Sequence, residues 1–168
     1  AAKVQSGSAF KPFIYCAALR KGYSIDAMLI DEPKEYPVGM GKTWTPRNYD
    51  GKYLGQVSMR DAVAYSKNAA TVRLLEEVGI HAVKDVMMDL GIDADLPHEL
   101  AIALGTSNLT LLDLVKGYSA FANGGFRVKP VAVLRVVDSG GNVLEENNGE
   151  KVRVLSEDVA YKMNILLK

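Results

Sequence analysis

The feature that constrains this chain most is the run that begins at Ser6, SGSAFKPFIYCAALRKG. From residue 8 to residue 21 it predicts a helix that is apolar on most of its faces and is closed by Gly22, a natural residue for the left-handed position after a helix. A helix without a polar face has to lie inside the molecule. Pro12 falls in the first turn or so, where its missing N–H costs least. Two polar side chains, Ser8 and Lys11, stand three residues apart at the entrance of this otherwise apolar element. On a helix that spacing makes them neighbours across one turn.

The rest of the chain is long enough to enclose such a helix. With 168 residues it suffices for one domain, which buries roughly two thirds of the surface its unfolded chain exposes. Lys plus Arg and Asp plus Glu each total 20, so there is no charge excess to hold a polyanion and no nucleic-acid partner is expected. The single cysteine, Cys16, excludes an internal disulfide and a CxxC pair, and reads as a small buried apolar residue. No run approaches the ~18 to 20 apolar residues of a membrane span. The chain starts abruptly beside the Ser8 motif, and its last ten residues run as an apolar helix pattern with no stop signal. A piece of something longer is therefore expected.

Residues 23 to 57, rich in proline and glycine and without a sustained period, read as an irregular loop region. Ser58 with Asp61 resembles a capping box opening a short helix, MRDAVAYS. SKNAATVRLLEEVG follows, with Val72, Leu75 and Val78 at helical spacing and Gly79 ending the pattern. A further helix spans His81 to Leu90. LAIALG, residues 100 to 105, is too short for periodicity to choose between strand and helix. Thr110 and Asp113 cap a helix LLDLVKGYSAFA, which stops at Asn123, Gly124 and Gly125. Residues 127 to 146 suggest a β-hairpin interrupted by Ser139, Gly140, Gly141 and Asn142. Ser156 caps a final helix whose first turn holds two acids, where the helix dipole favours them. This order predicts an α+β body: a helical part plus an incomplete antiparallel sheet.

A serine at a helix N-terminus lies near free backbone N–H groups that suit a developing oxyanion. A lysine desolvated by Phe10 and Phe13 has its neutral amine favoured, and that amine can take the serine's proton. Ser8 and Lys11 therefore fit a nucleophile with its base, but the tetrapeptide alone fits an N-cap followed by a solvated first-turn lysine better. Ser66, Lys67 and Asn68 sit at a helix junction, where Ser66 and Asn68 can turn their polar tips out of the core or cap the helix that follows. SxxK followed by Ser-x-Asn, in this order, supplies two of the three active-site motifs of penicillin-binding proteins and class A β-lactamases.

The chain resembles the transpeptidase domain of bifunctional, class A penicillin-binding proteins from end to end. The likeness is carried by SGSAFKPFIYCAAL, by WTPRNYDGKYLGQVSMRDAVAYSKNAATVRLLEEVG with Trp44, Pro46, Asn48 and Tyr49, and by ALGTSNLTLLDLVKGYSAFANGG. It implies the fold shared by penicillin-binding transpeptidases and serine β-lactamases. It also implies roles: Ser8 as the nucleophile attacking a D-Ala-D-Ala stem peptide of peptidoglycan, and Lys11 as its base. Ser66 would relay a proton to the leaving amine, and Asn68 would hold Lys11 and the substrate amide. β-Lactams would acylate Ser8 in place of the stem peptide. No cofactor or metal is implied. The parent protein would carry a membrane anchor and a fused glycosyltransferase domain, and would work in the periplasm or on the extracytoplasmic face of the bacterial inner membrane.

The third motif, KTG or KSG, is absent: Lys42-Thr43 is followed by Trp44, and Lys116-Gly117 lacks the middle residue. In the family it lies on a strand beyond the last residue here, and the first strands precede residue 1. Residues 1–168 are thus expected to be a partial transpeptidase domain, inactive alone unless another chain supplies the missing wall. A β-lactamase would need a glutamate in an ExxLN setting, which the sequence lacks. A non-catalytic β-lactam sensor or interaction module on the same fold stays open, and the full-length gene discriminates it. His81 and His98 lack metal-ligand spacing, Met87-Met88 reads as core, and Glu76-Glu77 and Glu145-Glu146 read as solvated faces. Trp44 and Tyr49 fit a groove lining and a core anchor equally well.

Overall fold

The computed structural model describes residues 2–168. After β1 (Val4–Gln5), residues Gly7–Phe10 wind as a 3-10 turn that runs straight into α1 (Lys11–Arg20). The helix expected over 8 to 21 thus begins with a tighter segment. In α1 every residue from Lys11 to Leu19 is buried, as an element without a polar face requires. Pro12 occupies its first turn. Gly22 takes φ +93°, and the Tyr23 N–H closes on the Ala18 carbonyl at 3.1 Å.

The region 23 to 57 is more ordered than its composition suggests. It holds β2 (Met28–Asp31), β3 (Tyr36–Pro37), β4 (Thr43–Trp44) and β5 (Gly55–Ser58). β2 pairs antiparallel with β5, with Leu29 opposite Val57, and β3 pairs with β4 as a small hairpin. Strands of two to four residues are too short to display a period. In β2 the alternation is also inverted in chemistry, because Met28 and Ile30 face outward while Asp31 is fully buried.

Four helices carry most of the remaining core: α2 (Met59–Ala64), α3 (Asn68–Val78), α4 (Ile80–Asp89) and, after a 3-10 segment at Leu100–Leu104 and β6 (Asn108–Leu109), α5 (Leu111–Ala122). The undecided LAIALG stretch is that 3-10 segment, ended by Gly105 in the left-handed conformation. Ser58 and Thr110 accept the expected N3 backbone N–H bonds, and at Thr110 the reciprocal bond to Asp113 completes the box. Met87 is core, whereas Met88 stands 60% exposed.

β7 (Phe126–Val128), β8 (Arg135–Val137), β9 (Val143–Glu146) and β10 (Lys151–Arg153) precede α6 (Glu157–Leu166). The hairpin expected over 127 to 146 resolves into two pairings: β8 joins β9, and β7 joins β10. The five sheets among the described residues are all two-stranded and antiparallel. α1 lies between α3, α4 and α6, and α5 packs on α6. Phe13 meets Phe10, Tyr118 and Phe121 at ring distances of 5.8, 6.2 and 6.1 Å. That contact needs Gly117, where a Cβ would come within 2.5 Å of the Phe13 ring.

Candidate active site

The entrance to α1 is tied down from three directions. β1 pairs with β6, the Gly7 N–H donates to the Gly105 carbonyl at 3.1 Å, and the Tyr118 hydroxyl donates to the Ala9 carbonyl at 3.1 Å. The crossing at Gly105 is so close that a Cβ there would stand 1.9 Å from the Gly7 oxygen. These contacts hold the 3-10 turn, in which positions i and i+3 eclipse, so Ser8 and Lys11 project to the same side. Ser8 is exposed, while Lys11 is 3% exposed.

The second half of the site arrives between α2 and α3. The Lys67 N–H donates to the Ala62 carbonyl and the Ser66 N–H to the Val63 carbonyl, closing a tight turn in which Ser66 takes φ +51°. A non-glycine residue in that region carries backbone strain that its surroundings must hold. α1 and α3 are locked together nearby: the Tyr15 hydroxyl meets Thr71 Oγ1 at 2.8 Å, and Thr71 Oγ1 donates to the Lys67 carbonyl at 2.7 Å.

All four residues singled out in the sequence converge. Lys11 Nζ donates to the Ser66 carbonyl at 2.6 Å, to Ser66 Oγ at 2.8 Å and to Asn68 Oδ1 at 2.6 Å. Ser66 Oγ lies 3.0 Å from Ser8 Oγ in hydrogen-bond geometry. Among the described residues Lys11 and Ser8 share no direct hydrogen bond, and the connection between them runs through the Ser66 hydroxyl. Asn68 turns its carbonyl to the ammonium, and its Nδ2 donates to the Arg47 carbonyl at 2.8 Å. Burial lowers the Lys11 pKa from 10.5 to about 8, which brings the neutral amine within reach of mildly basic solution. Chemically, this is an exposed hydroxyl linked through a second hydroxyl to an amine that can give up its proton.

Behind these four lies a layer whose function the sequence did not disclose. Asn48 and Asp31 are buried, and Lys67 places its ammonium 3.0 Å from Asp50 Oδ2 and 4.0 Å from Asp31 Oδ2. Asn48 was visible as part of the WTPRN segment; Asp31, at the end of an apolar strand, gave no signal. Trp44 packs against Tyr36 at 6.0 Å between ring centres, while the Tyr49 side chain stands wholly in solvent. Cys16 is enclosed in α1 and burial pushes its thiol up to about 12, which leaves no reactive thiolate. The fold brings His81 and His98 together at 5.2 Å, although their sequence positions look unrelated. Among the described residues no three metal-capable side chains converge.

Comparison with known proteins agrees with this geometry. The family model described as the penicillin binding protein transpeptidase domain matches residues 1–168. The chain is 39% identical over 142 residues to penicillin-binding protein 1A of Neisseria flavescens, covering 83% of this chain and 18% of that protein. It is 42% identical over 152 residues to penicillin-binding protein 1A of Aquifex aeolicus, covering 90% of this chain and 21% of that one. It thus spans about a fifth of the length of these relatives. Among solved structures, penicillin-binding protein 1A from Haemophilus influenzae superposes with a TM-score of 0.91 at 27% identity, over 98% of this chain and 29% of that one. Penicillin-binding protein A from M. tuberculosis, solved as an imipenem acyl-enzyme complex, superposes with a TM-score of 0.86 at 25% identity, over 98% of this chain and 43% of that one. With its full length matched by the family model, and with its SxxK and Ser-x-Asn motifs meeting in one hydrogen-bonded cluster, the chain belongs to the penicillin-binding protein transpeptidase domain family.

Proposed function

We propose that the protein carrying this chain is a serine D,D-transpeptidase that cross-links peptidoglycan stem peptides and is acylated by β-lactams. The observation that carries the reading is the continuous chain Ser8 Oγ, Ser66 Oγ, Lys11 Nζ, at 3.0 and 2.8 Å, inside a chain matched throughout by the transpeptidase family. Ser8 Oγ bonds to the carbonyl carbon of the penultimate D-alanine. Its proton passes to Ser66, whose own proton passes to neutral Lys11. The amide bond to the last D-alanine then breaks, and a proton returned along the same path leaves on the departing amine. An amine of a second stem peptide attacks the resulting ester, forms the cross-link and frees Ser8. Asn68 Oδ1 fixes Lys11, and its Nδ2, held by the Arg47 carbonyl, keeps that oxygen turned to the amine.

Residues 1–168 form part of a larger transpeptidase domain, completed by a strand with the KTG motif outside them. The parent chain also bears a membrane anchor and a glycosyltransferase domain, and acts at the extracytoplasmic face of the inner membrane. Fluorescent penicillin added to the full-length protein tests the central point. Labelling should map to Ser8 and disappear in Ser8→Ala; a Ser8→Ala protein that labels at the wild-type rate overturns the reading.

A further inference from the structure

Ser and Asn are favoured helix N-caps, and the start of α3 offers one of each, yet neither caps it. Ser66 Oγ and Asn68 Oδ1 both accept from Lys11 Nζ instead. The residue at the cap position is Lys67, whose side chain makes no cap bond. The first N–H groups of a helix lack intrahelical acceptors and must find them elsewhere. Here they find Asn48, from the segment between β4 and β5: its Oδ1 accepts the Asn68 N–H at 2.7 Å and the Ala69 N–H at 3.2 Å.

Asn48 is 5% exposed and its amide is held in one orientation. Its Nδ2 donates to both carboxylate oxygens of Asp31, at 2.8 and 3.0 Å, and to the Lys52 carbonyl at 2.8 Å. A carboxylate and a carbonyl can only accept, so the NH2 group must face them and the oxygen must face α3. Asp31 is fully buried, accepts the Leu54 N–H at 3.0 Å, and has the Lys67 ammonium 4.0 Å away.

We propose that Asn48, oriented by Asp31, is a positioning residue of the acyl-transfer site: it caps α3 in place of the motif's own side chains and so releases Ser66 and Asn68 to face Lys11 and Ser8. The inference depends on the transpeptidase reading of that site. Without this cap the first N–H groups of α3 lose their acceptor, and the turn that sets Ser66 and Asn68 against Lys11 loses its tie to the segment between β4 and β5.

The test is the kinetics of penicillin acylation on the full-length protein, with the pre-covalent dissociation constant, the acylation rate constant and the thermal midpoint measured separately. Asn48→Ala should slow acylation by about tenfold to a hundredfold, the range in which misplacing a reacting group by about 1 Å falls, while the dissociation constant changes less than about threefold. Asn48→Asp sets two carboxylates against each other and should be slow as well. Asp31→Asn combined with Asn48→Asp restores a donor–acceptor bond across the pair and keeps both acceptor bonds to α3, but sets the new carboxylate against the Lys52 carbonyl, and should recover part of the rate lost in Asn48→Asp. Folded single variants that acylate at the wild-type rate overturn the proposal. So does a double variant that regains thermal stability but not rate, or one that fails to fold, since the pair would then serve the fold alone. If Ser8→Ala still labels, the underlying transpeptidase reading fails instead, so the two failures are distinguishable.

Discussion

In the proposed reading, Lys11 concentrates the chemistry of the site in one buried amine. Its three acceptors favour the ammonium, yet desolvation outweighs them and brings the pKa down to about 8. If neutral Lys11 drives proton removal from Ser8, penicillin acylation should rise with pH through about 8 and level off above it. Lys11→Arg should be inactive across that range, because a guanidinium does not deprotonate in a protein. A wild-type rate that is flat between pH 6 and pH 9, on the order of one to two units around that value, rules the role out. The same shift has a consequence for folding. Between about 8 and 10.5 the unfolded chain keeps a proton on Lys11 that the folded chain has released, so this group's contribution to stability increases as pH rises through that window. Ser8 and Lys11 were legible in the sequence because their spacing and their apolar neighbours were both local. That Ser66 stands between them was not, since residues 58 positions apart in the chain meet only through the docking of α3 on α1.

At the level of elements, the sequence signals that proved accurate were caps and closely spaced apolar stripes. Thr110 and Asp113 form a reciprocal box at α5, which needs no tertiary contact to form. Thr110→Ala should therefore lower unfolding free energy by about 1 kcal/mol, read from denaturant melts with an unchanged slope. Gly117 shows the opposite situation, an element whose interior residue is set by its neighbour. A methyl group there would press on Phe13 at 2.5 Å, so Gly117→Ala should cost about 1 to 3 kcal/mol even though alanine is the better helix former. The strands between residues 23 and 57 escaped detection for the same kind of reason. β2 exposes Met28 and Ile30 and buries Asp31, because Asp31 is needed for Asn48 rather than for the apolar core.

Over the whole molecule, the helices share one core around α1, whereas the sheets stay in isolated pairs with open edges. β8, β9 and β10 are exposed along their whole length, and Leu111, Leu112 and Val115 of α5 stand 75%, 48% and 53% exposed. If, as proposed, a KTG strand outside these residues completes the site, a polypeptide limited to residues 1–168 should label with penicillin at least ~10²-fold more slowly than the full-length protein, the typical cost of losing even one oxyanion-hole donor. Equal labelling rates for the two would show that these residues suffice. The sequence by itself determined the buried helix, the capped helices and the identity of the four clustered side chains, because periodicity, caps and motif spacing act over a few residues. Only the tertiary structure decided that the Ser8–Lys11 link passes through Ser66, and that α3 is capped by Asn48 and not by its own serine or asparagine. Hydrogen-bond partners far apart in the chain are chosen by packing and burial, and no local pattern encodes that choice.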